Sequence, residues 1–487
     1  MGRPPAPVLV LAAALGGCSF APHYAPPVTQ APAAFKEAPT GPWQAATPLD
    51  HMPRGAWWTG FGDPVLDDLE ARVEAGSPTA AAAVARYDQA VALADAAASA
   101  RLPTIGAAAD IGRNQVSATR PLAVPGSGPQ RYTDKVAGGT FTYEIDLWGR
   151  VRNTIRAGRA GAQASAADLE SVRLSLHALV ADTYFQLRGL DAEDRLLRQT
   201  VDAYSRAAEL TYTRHQGGIA SGLDINRARA QLSSARARIS DIAVERAANE
   251  HALAVLVGAS PSTFSIAPAV PALDPLAVPT GAPSTLVQRR PDIAAAERRM
   301  AAENARIGVA RAAFFPTLTL GGSGGFETTG GNFLAAPNSF WALGPLSAAV
   351  TLFDGGRRAA QVRNARAIFA EAAADYRDTV LGAFREVEDN LAAARHLAVE
   401  QHDQDDAAAA AQRTSDLALE RYHDGASDYL EVVVAQTAAL DAQRASLSVH
   451  TRRLQTSVAL IRALGGGYGA ASEAAAAPAG SGTTAGR

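Results

Sequence analysis

The residues best suited to chemistry in this chain do not assemble into a catalytic set. His396 and His402 lie close in sequence to Asp403, Asp405 and Asp406, a collection that suggests a metal site until spacing is considered. Six positions apart on a helix, the two imidazoles point from different faces, and the chain has no His-Glu-x-x-His motif; a solvated acidic face is the better reading. Gly465-Gly466-Gly467-Tyr468-Gly469 has the composition of a phosphate loop, but no strand precedes it, so it reads as a helix stop followed by a linker. Arg289-Arg290-Pro291-Asp292 carries the charge of a recognition cluster, yet Pro followed by Asp is the signature of a helix's first turn. No Ser-His-Asp arrangement and no pair of catalytic carboxylates is signalled. The single cysteine, Cys18, excludes an intramolecular disulfide, a CxxC redox pair and a cysteine zinc cluster. The expectation is a protein that is not an enzyme and holds neither metal nor soluble cofactor.

Cys18 suits a different chemistry. Arg3 precedes an apolar run from Val8 to Leu15, too short to span a bilayer, and Leu15-Gly16-Gly17-Cys18 follows. Residues 1–17 read as a secretory signal, and the pattern resembles the bacterial lipobox, whose cysteine is lipidated and becomes the first residue. Ser19, rather than Asp, comes next; in lipoproteins of this kind that implies delivery to the outer membrane. Two or three acyl chains, at roughly 0.8 kcal/mol per buried CH₂, hold a protein at a membrane. A covalent lipid on Cys18 is the only attached group expected.

What positions these residues is a helical scaffold. Of the 487 residues, 47% are apolar but only 6% aromatic, so alanine supplies much of the apolar content. Alanine favours helix and fills little volume, which suits long helices packed closely rather than a bulky core. Charged residues number 45 basic and 48 acidic, for a net charge of −3, and give no polyanion-binding surface; nucleic acid is not an expected partner. No run of 18 apolar residues exists, so no helix is expected to span a bilayer.

The body of the chain is one unit written twice. Gly149-Arg150 recurs as Gly356-Arg357, and Gly218, Leu223, Asp224 and Gly258 recur as Gly425, Leu430, Glu431 and Gly465, all 207 residues later. Upstream, Arg101-Leu102-Pro103-Thr104 matches Phe314-Phe315-Pro316-Thr317 at an offset of 213, so the length difference falls in intervening loops. Each repeat has the order helix, two strands, very long helix, turn, return helix. Phe141 to Leu147 alternates apolar and polar without error; Ile105, Ala107, Ala109 and Ile111, then Leu318 and Leu320, then Leu346, Ala348, Val350 and Leu352 do the same on the other strands. Period two with small and polar residues on one face fits a barrel strand between lipid and lumen, and equally a soluble sheet with one wet face.

The long helices, 149–216 and 356–424, contain no proline and would extend about 100 Å at ~1.5 Å per residue. Val172, Leu176, Leu179, Leu187, Leu190, Leu197, Val201 and Tyr204 follow a four–three rhythm, and Leu440, Leu447, Leu454 and Ile461 recur every seven, which is coiled-coil packing. Asp194, Arg246 and Asn249 interrupt the stripe, as expected where helices touch neighbours on two sides or line water. The expected organisation is a signal peptide (1–17), a lipid anchor and Pro-rich segment (18–62), repeat 1 (63–259, with a hairpin near 103–147 and a return helix 221–257), a Pro/Gly-rich linker (260–283), repeat 2 (284–466, with a hairpin near 316–353 and a return helix 428–464) and a disordered tail (467–487). Four strands cannot close a barrel, and open edges in lipid cost several kcal/mol per unsatisfied backbone group, so copies of the chain must complete it. Two, three or four copies are equally compatible with the residues themselves.

Several stretches together resemble the outer-membrane factor family of tripartite efflux systems, the TolC/OprM-like channels, and its NodT-type lipoprotein branch. They are Cys18-Ser-Phe-Ala-Pro-His-Tyr-Ala-Pro-Pro, Trp57-Trp58-Thr-Gly-Phe-Gly-Asp63-Pro64-Val-Leu, Arg289-Arg290-Pro291-Asp292-Ile293-Ala-Ala-Ala-Glu297, Ala312-Ala313-Phe314-Phe315-Pro316-Thr317-Leu318, Leu352-Phe353-Asp354-Gly355-Gly356-Arg357 and Arg421-Tyr422-His-Asp-Gly425. The resemblance implies a mainly α homotrimer with a 12-stranded outer-membrane β-barrel, four strands from each chain, a long periplasmic α-helical barrel and an equatorial belt. It implies a passive exit duct anchored in the outer membrane and reaching into the periplasm, with a periplasmic adaptor and an inner-membrane RND-type pump as partners.

The resemblance also places the two helical turns at a periplasmic gate. Asp224 matches a restraining aspartate, Glu431 an acidic position at the constriction and Tyr422 a tyrosine of the same network; Asp428 is grouped with them. Where the family's best-known network has an arginine, Ser427 stands here, leaving Arg421, Arg214 or Arg227 as the basic partner. The plainer reading of Asp224 and Glu431 is first-turn acids favoured by the helix dipole, by about 0.3–1 kcal/mol. Gly218 and Gly425 are expected to supply the positive φ of tight turns. Trp57, Trp58 and Phe61 are expected to pack the N-terminal segment against helices.

Overall fold

The computed structural model describes residues 19–26, 35–37, 55–117, 130–276, 278 and 289–466. Cys18, the signal segment, much of the Pro-rich segment, part of the linker and residues 467–487 lie outside the described residues. The helices are α1 (Pro64–Gly76), α2 (Pro78–Ser99), α3 (Arg150–Gln216), α4 (Gly222–Leu256), α5 (Pro291–Ala312), α6 (Arg357–His423) and α7 (Tyr429–Ala463). The strands are β1 (Thr104–Val116), β2 (Gln130–Ile145), β3 (Thr317–Thr328) and β4 (Ser339–Ala349). α3 and α6 have 67 residues each and α4 and α7 have 35 each, so the two repeats match element for element. Pro291 and Asp292 open α5. Among the described residues no helix is long and apolar enough to cross a membrane.

The chain divides into two compact units: Met1–Val28, Tyr87–Ser165 and Ala295–Tyr376 form one, and Thr29–Arg86, Ala166–Ala294 and Arg377–Arg487 the other. The first contains the sheet, antiparallel throughout in the order β1-β2-β3-β4. Its register puts Ile105, Phe141, Gly322 and Leu343 in one cross-strand row, and Tyr143, Leu320 and Leu346 in another. Ile111, Ile145, Leu318, Phe326 and Trp341 fall on the same face by period two. The opposite face carries Thr104, Asp110, Asn114, Thr140, Glu144, Thr319, Ser323 and Glu327. The apolar face is open: Ile105, Ile111, Trp341, Leu343 and Leu346 are all exposed.

β4 departs from the alternation expected of it. It ends at Ala349, so Val350 and Leu352 lie beyond the strand. A bulge between the pairs Leu320↔Leu346 and Gly322↔Leu343 gives β4 one extra residue. That residue changes the parity of the strand and returns Trp341 and Leu343 to the face of Leu346. At the centre of the sheet backbones approach closely: a Cβ on Gly325 would lie 2.2 Å from the Ala137 carbonyl oxygen, and one on Gly138 2.7 Å from that of Gly324.

The stretch directly after Cys18 is pinned in this unit. Phe20 stacks on Phe315 at 4.4 Å, Ser19 Oγ donates to Asn153 Oδ1 at 3.1 Å in the first turn of α3, and Asn304 Nδ2 donates to the Pro22 carbonyl at 2.9 Å. Trp148, at the β2–α3 junction, packs on Phe315 and donates its indole N–H to Pro316 O at 2.8 Å. Ser19 is thereby held where a strand gives way to a long helix.

The second unit buries the core. Trp57, Leu66, Leu69, Val180, Tyr184, Phe185, Leu187 and Leu253 are essentially inaccessible and share one cluster with Leu454 and Ile461. Asp63 caps α1 by accepting from Val65 N at 2.8 Å, with Pro64 at the first helical position, and also accepts the Tyr184 hydroxyl at 2.5 Å. Leu179, expected on the α3 stripe, is 48% exposed, because Leu176, Val180, Tyr184 and Leu187 carry the buried line instead. Arg246 interrupts the α4 stripe for a specific reason. Its guanidinium and that of Arg188 both meet the buried carboxylate of Asp191, at 2.6 and 2.9 Å, and donate to the Ile266 and Ala267 carbonyls. Asp191 and Glu250 in turn accept from Ala269 N and Ile266 N. Arg290, from the cluster before α5, is likewise structural, pairing with Asp292 and Glu386 and donating to the Ala463 carbonyl.

Candidate functional site

The acids singled out by sequence lie at the two helical turns, and the turns are built alike. Gly218 takes φ +76° after α3; its N–H donates to His215 O and that of Ile219 to Arg214 O. Gly425 takes φ +78° after α6; its N–H donates to Tyr422 O and that of Ala426 to Arg421 O. Both are Schellman caps, with the left-handed residue supplied by glycine. Each return helix then starts with a cap three residues before an acid. Ser221 accepts from Asp224 N while the Asp224 carboxylate accepts from Ser221 N at 3.1 Å, a complete capping box. Asp428 accepts from Glu431 N at 3.1 Å. Asp428 is therefore a helix cap, and Asp224 and Glu431 are equivalent third helical residues.

Each of the three arginines named as possible partners has a separate task. Arg227 lies 3.5 Å from Asp224, and Arg421 lies 3.8 Å from Glu431. Arg214 crosses from the first repeat to the second: it donates to Tyr422 O at 2.5 Å and His423 O at 2.8 Å, and its guanidinium carbon sits 4.6 Å from the centre of the Tyr422 ring. Tyr422 is buried, contacts Thr211 Oγ1 at 3.4 Å and meets Tyr429 edge-on at 5.2 Å. Ala207, Ala228 and Val432 complete that cluster. Burial, with Tyr422 and Tyr204 adding to it, pushes the Tyr429 phenol up to about 12. No hydrogen bond joins Asp224 to Tyr422 among the described residues; the tyrosine is held by Arg214 and Thr211 instead. The Ser427 hydroxyl is buried without a partner.

Sequence reasoning left three members of this cluster unassigned. Arg214 was one candidate of three, and nothing distinguished it, because Arg421 occupies the same place in the other repeat. Tyr429 and Thr211 were not singled out; their repeat mates are Gly222 and Ala418, so comparison of the two halves gave them no emphasis.

The other candidates stay apart. His402 lies 3.8 Å from Asp406, both well exposed, and no group of three or more His, Cys, Asp or Glu that could hold a metal occurs among the described residues. Elsewhere, Glu70 is fully buried in α1, 2.6 Å from His177 Nδ1, with Trp58 stacked on the imidazole at 4.5 Å. Desolvation raises the Glu70 carboxyl to about 7, against the opposing pull of His177. Its second oxygen is shielded without a hydrogen-bond partner, and the far side of the imidazole faces Glu74 at 3.5 Å.

The family model "Outer membrane efflux protein" matches residues 71–259 and 282–466, one match for each repeat. The pyoverdine export outer membrane protein OpmQ of Pseudomonas aeruginosa is 34% identical over 423 residues, covering 85% of this chain and 87% of that protein. The toluene efflux pump outer membrane protein TtgF of Pseudomonas putida is 32% identical, covering 94% of this chain and 96% of that protein. The solved structure of the outer-membrane channel OprN superposes with a TM-score of 0.84 at 30% identity, covering 92% of this chain and 99% of that one. The match of that family model to both repeats and the similarity to OpmQ and OprN place this chain in the outer membrane efflux protein family: it is an outer-membrane efflux channel, not an enzyme.

Proposed function

We propose that the channel is a homotrimer, lipid-anchored at Cys18, that serves as the passive exit duct of a tripartite system, receiving cargo from an inner-membrane RND-type pump through a periplasmic adaptor. The observation that carries the reading is the sheet. Among the described residues β1 and β4 each pair on one side only, while Ile, Leu, Phe and Trp side chains on one face are exposed on β1 and β4 and half-buried on β2 and β3. A lone open sheet of this kind is untenable in lipid. Three copies joined β4 to β1 supply 12 strands, with Thr, Ser, Asp and Glu facing the lumen and Ile, Leu, Trp and Phe facing lipid. Ser19, pinned at the strand-to-helix junction, supports an acylated neighbour at the level of the membrane surface.

The turns at Gly218 and Gly425 form the periplasmic gate in this reading, with Asp224, Glu431, Asp428 and Tyr422 at the constriction. Three copies of the acids make a charged ring that favours cations. Selectivity for cargo lies in the pump: relatives of similar identity are named for cargoes as unlike as pyoverdine and toluene. Planar-bilayer recording of the purified protein, with its mass in nonionic detergent, tests the proposal. Cation-selective steps from a trimer are expected; a monodisperse monomer without conductance overturns it. Labelling with a palmitate analogue, lost in Cys18→Ser, tests the anchor.

A further inference from the structure

The helical unit contains a cavity of about 510 Å³ between the two return helices, α4 and α7, over the body of α3. Leu197 and Tyr204 of α3 form its buried floor, with Ala235 of α4 and Leu440 of α7 as apolar walls. The volume lies in the range that accepts a small molecule. Two further observations separate it from a gap in packing.

The first is Gln231 on α4. Both polar atoms of its side-chain amide are shielded from solvent without a hydrogen-bond partner. The amide N–H is turned toward the Tyr204 hydroxyl, which itself donates to the Gln436 carbonyl at 3.2 Å, and the amide oxygen is left without a donor. A shielded amide oxygen with no donor is rare unless a partner arrives from outside. The second is charge. Arg227, Arg238 and Arg444 line the cavity, and no acid does. Arg444 pairs with Glu193 at 2.6 Å and Arg227 with Asp224 at 3.5 Å, while Arg238 makes no ion pair among the described residues. A basic rim above an apolar floor selects a ligand with both characters.

We propose that this cavity is a binding site for a small amphiphilic anion. Its apolar or aromatic body lies against Leu197 and Leu440, a polar atom meets the Gln231 amide, and its carboxylate or sulfonate meets Arg238. The site adjoins the cluster around Tyr422 through Val433 and Arg227, but Arg238 and Gln231 lie outside that cluster and the proposal does not depend on the gate assignment.

The test uses the full-length protein in uncharged maltoside micelles, with 2-naphthalenesulfonate as probe and 2-naphthylmethylammonium as its cationic counterpart, followed by calorimetry. Saturable binding of one sulfonate per chain is expected, with the ammonium about tenfold weaker or more. Arg238→Glu is expected to weaken the sulfonate about tenfold, and Ser234→Trp, which fills the cavity from its rim, to abolish it. Both positions are exposed, and unchanged thermal unfolding reports an intact fold; Arg238→Gln replaces the charge reversal if folding is disturbed. Equal binding of sulfonate and ammonium, or sulfonate binding indifferent to both substitutions, overturns the proposal.

Discussion

Arg214 and Tyr422 tie the end of one long helix to the end of the other. The guanidinium donates to the Tyr422 carbonyl at 2.5 Å, extends to His423 O at 2.8 Å and lies over the tyrosine ring. The carbonyls in the last turn of α6 lack intrahelical donors and carry the negative end of the helix dipole, so a cation is the natural partner. Arg421, the equivalent of Arg214 in the second repeat, turns to Glu431 instead. A duplicated position has thus diverged into one contact between repeats and one within a repeat.

Arg214→Ala should release this tie. Two charge-assisted hydrogen bonds and a cation–π contact are lost, a weakening of roughly 2–4 kcal/mol. Larger or longer openings in single-channel recordings are expected, whereas Tyr422→Phe, which removes only the 3.4 Å contact to Thr211, should change little. Wild-type conductance in Arg214→Ala would show that the tie does not restrain the pore.

The acids and their caps can be separated. Ser221→Ala should cost about 1 kcal/mol of helix-end stability, seen as faster hydrogen exchange at the start of α4, with ion selectivity unchanged. Asp224→Ala combined with Glu431→Ala should raise conductance and reduce cation preference as well. If both variants differ from wild type only in exchange, these acids serve capping alone.

Glu70 makes the docking of α1 sensitive to pH. Its folded pKa, about 7, lies above its ordinary value because burial disfavours the charge. The stabilisation is full below the unfolded value and is lost as pH rises through about 7, a change on the order of 3 kcal/mol. Glu70→Gln should flatten the stability profile between the carboxyl's ordinary value of 4.5 and about 7. An unaltered profile would exclude Glu70 as its source.

Asp191→Ala leaves the guanidiniums of Arg188 and Arg246 facing one another in a buried site. A loss of roughly 3–5 kcal/mol is expected, readable as a lower denaturation midpoint. The exposed pair Arg198–Asp194 serves as the control, since removing it should cost under about 1 kcal/mol.

Gly325→Val tests the close approach in the sheet. A Cβ there meets the Ala137 carbonyl at 2.2 Å, which no rotamer relieves. Loss of the folded oligomer from outer-membrane fractions is expected, while Gly330→Val, at a position with open space around it, should be tolerated.

Much of the architecture was legible because it is written in periodicity. Helices of 67 and 35 residues follow from proline-free runs bounded by glycines that recur at a fixed offset. Gly218 and Gly425 were legible for the same reason, since a left-handed turn leaves few alternatives to glycine. The β4 bulge was not legible: alternation read back from Leu346 puts Leu343 on the wrong face, and only pairing with β3 reveals the extra residue. Nor was the choice among Arg214, Arg227 and Arg421, because long flexible side chains at equivalent positions differ only in what the third dimension offers them. Arg246 was visible as a flaw in the stripe, but its partner Asp191 lies 55 residues away on another helix.

The clamp around Asp191 has a consequence for how the gene's two halves can be parted. Every side chain that grips Ile266, Ala267 and Ala269 comes from the first repeat. The start of the crossover therefore belongs mechanically to the half upstream of it. A two-piece or circularly permuted version severed ahead of Ile266 would strand those grips on bare solvent, whereas a cut placed after Leu273 would keep them occupied.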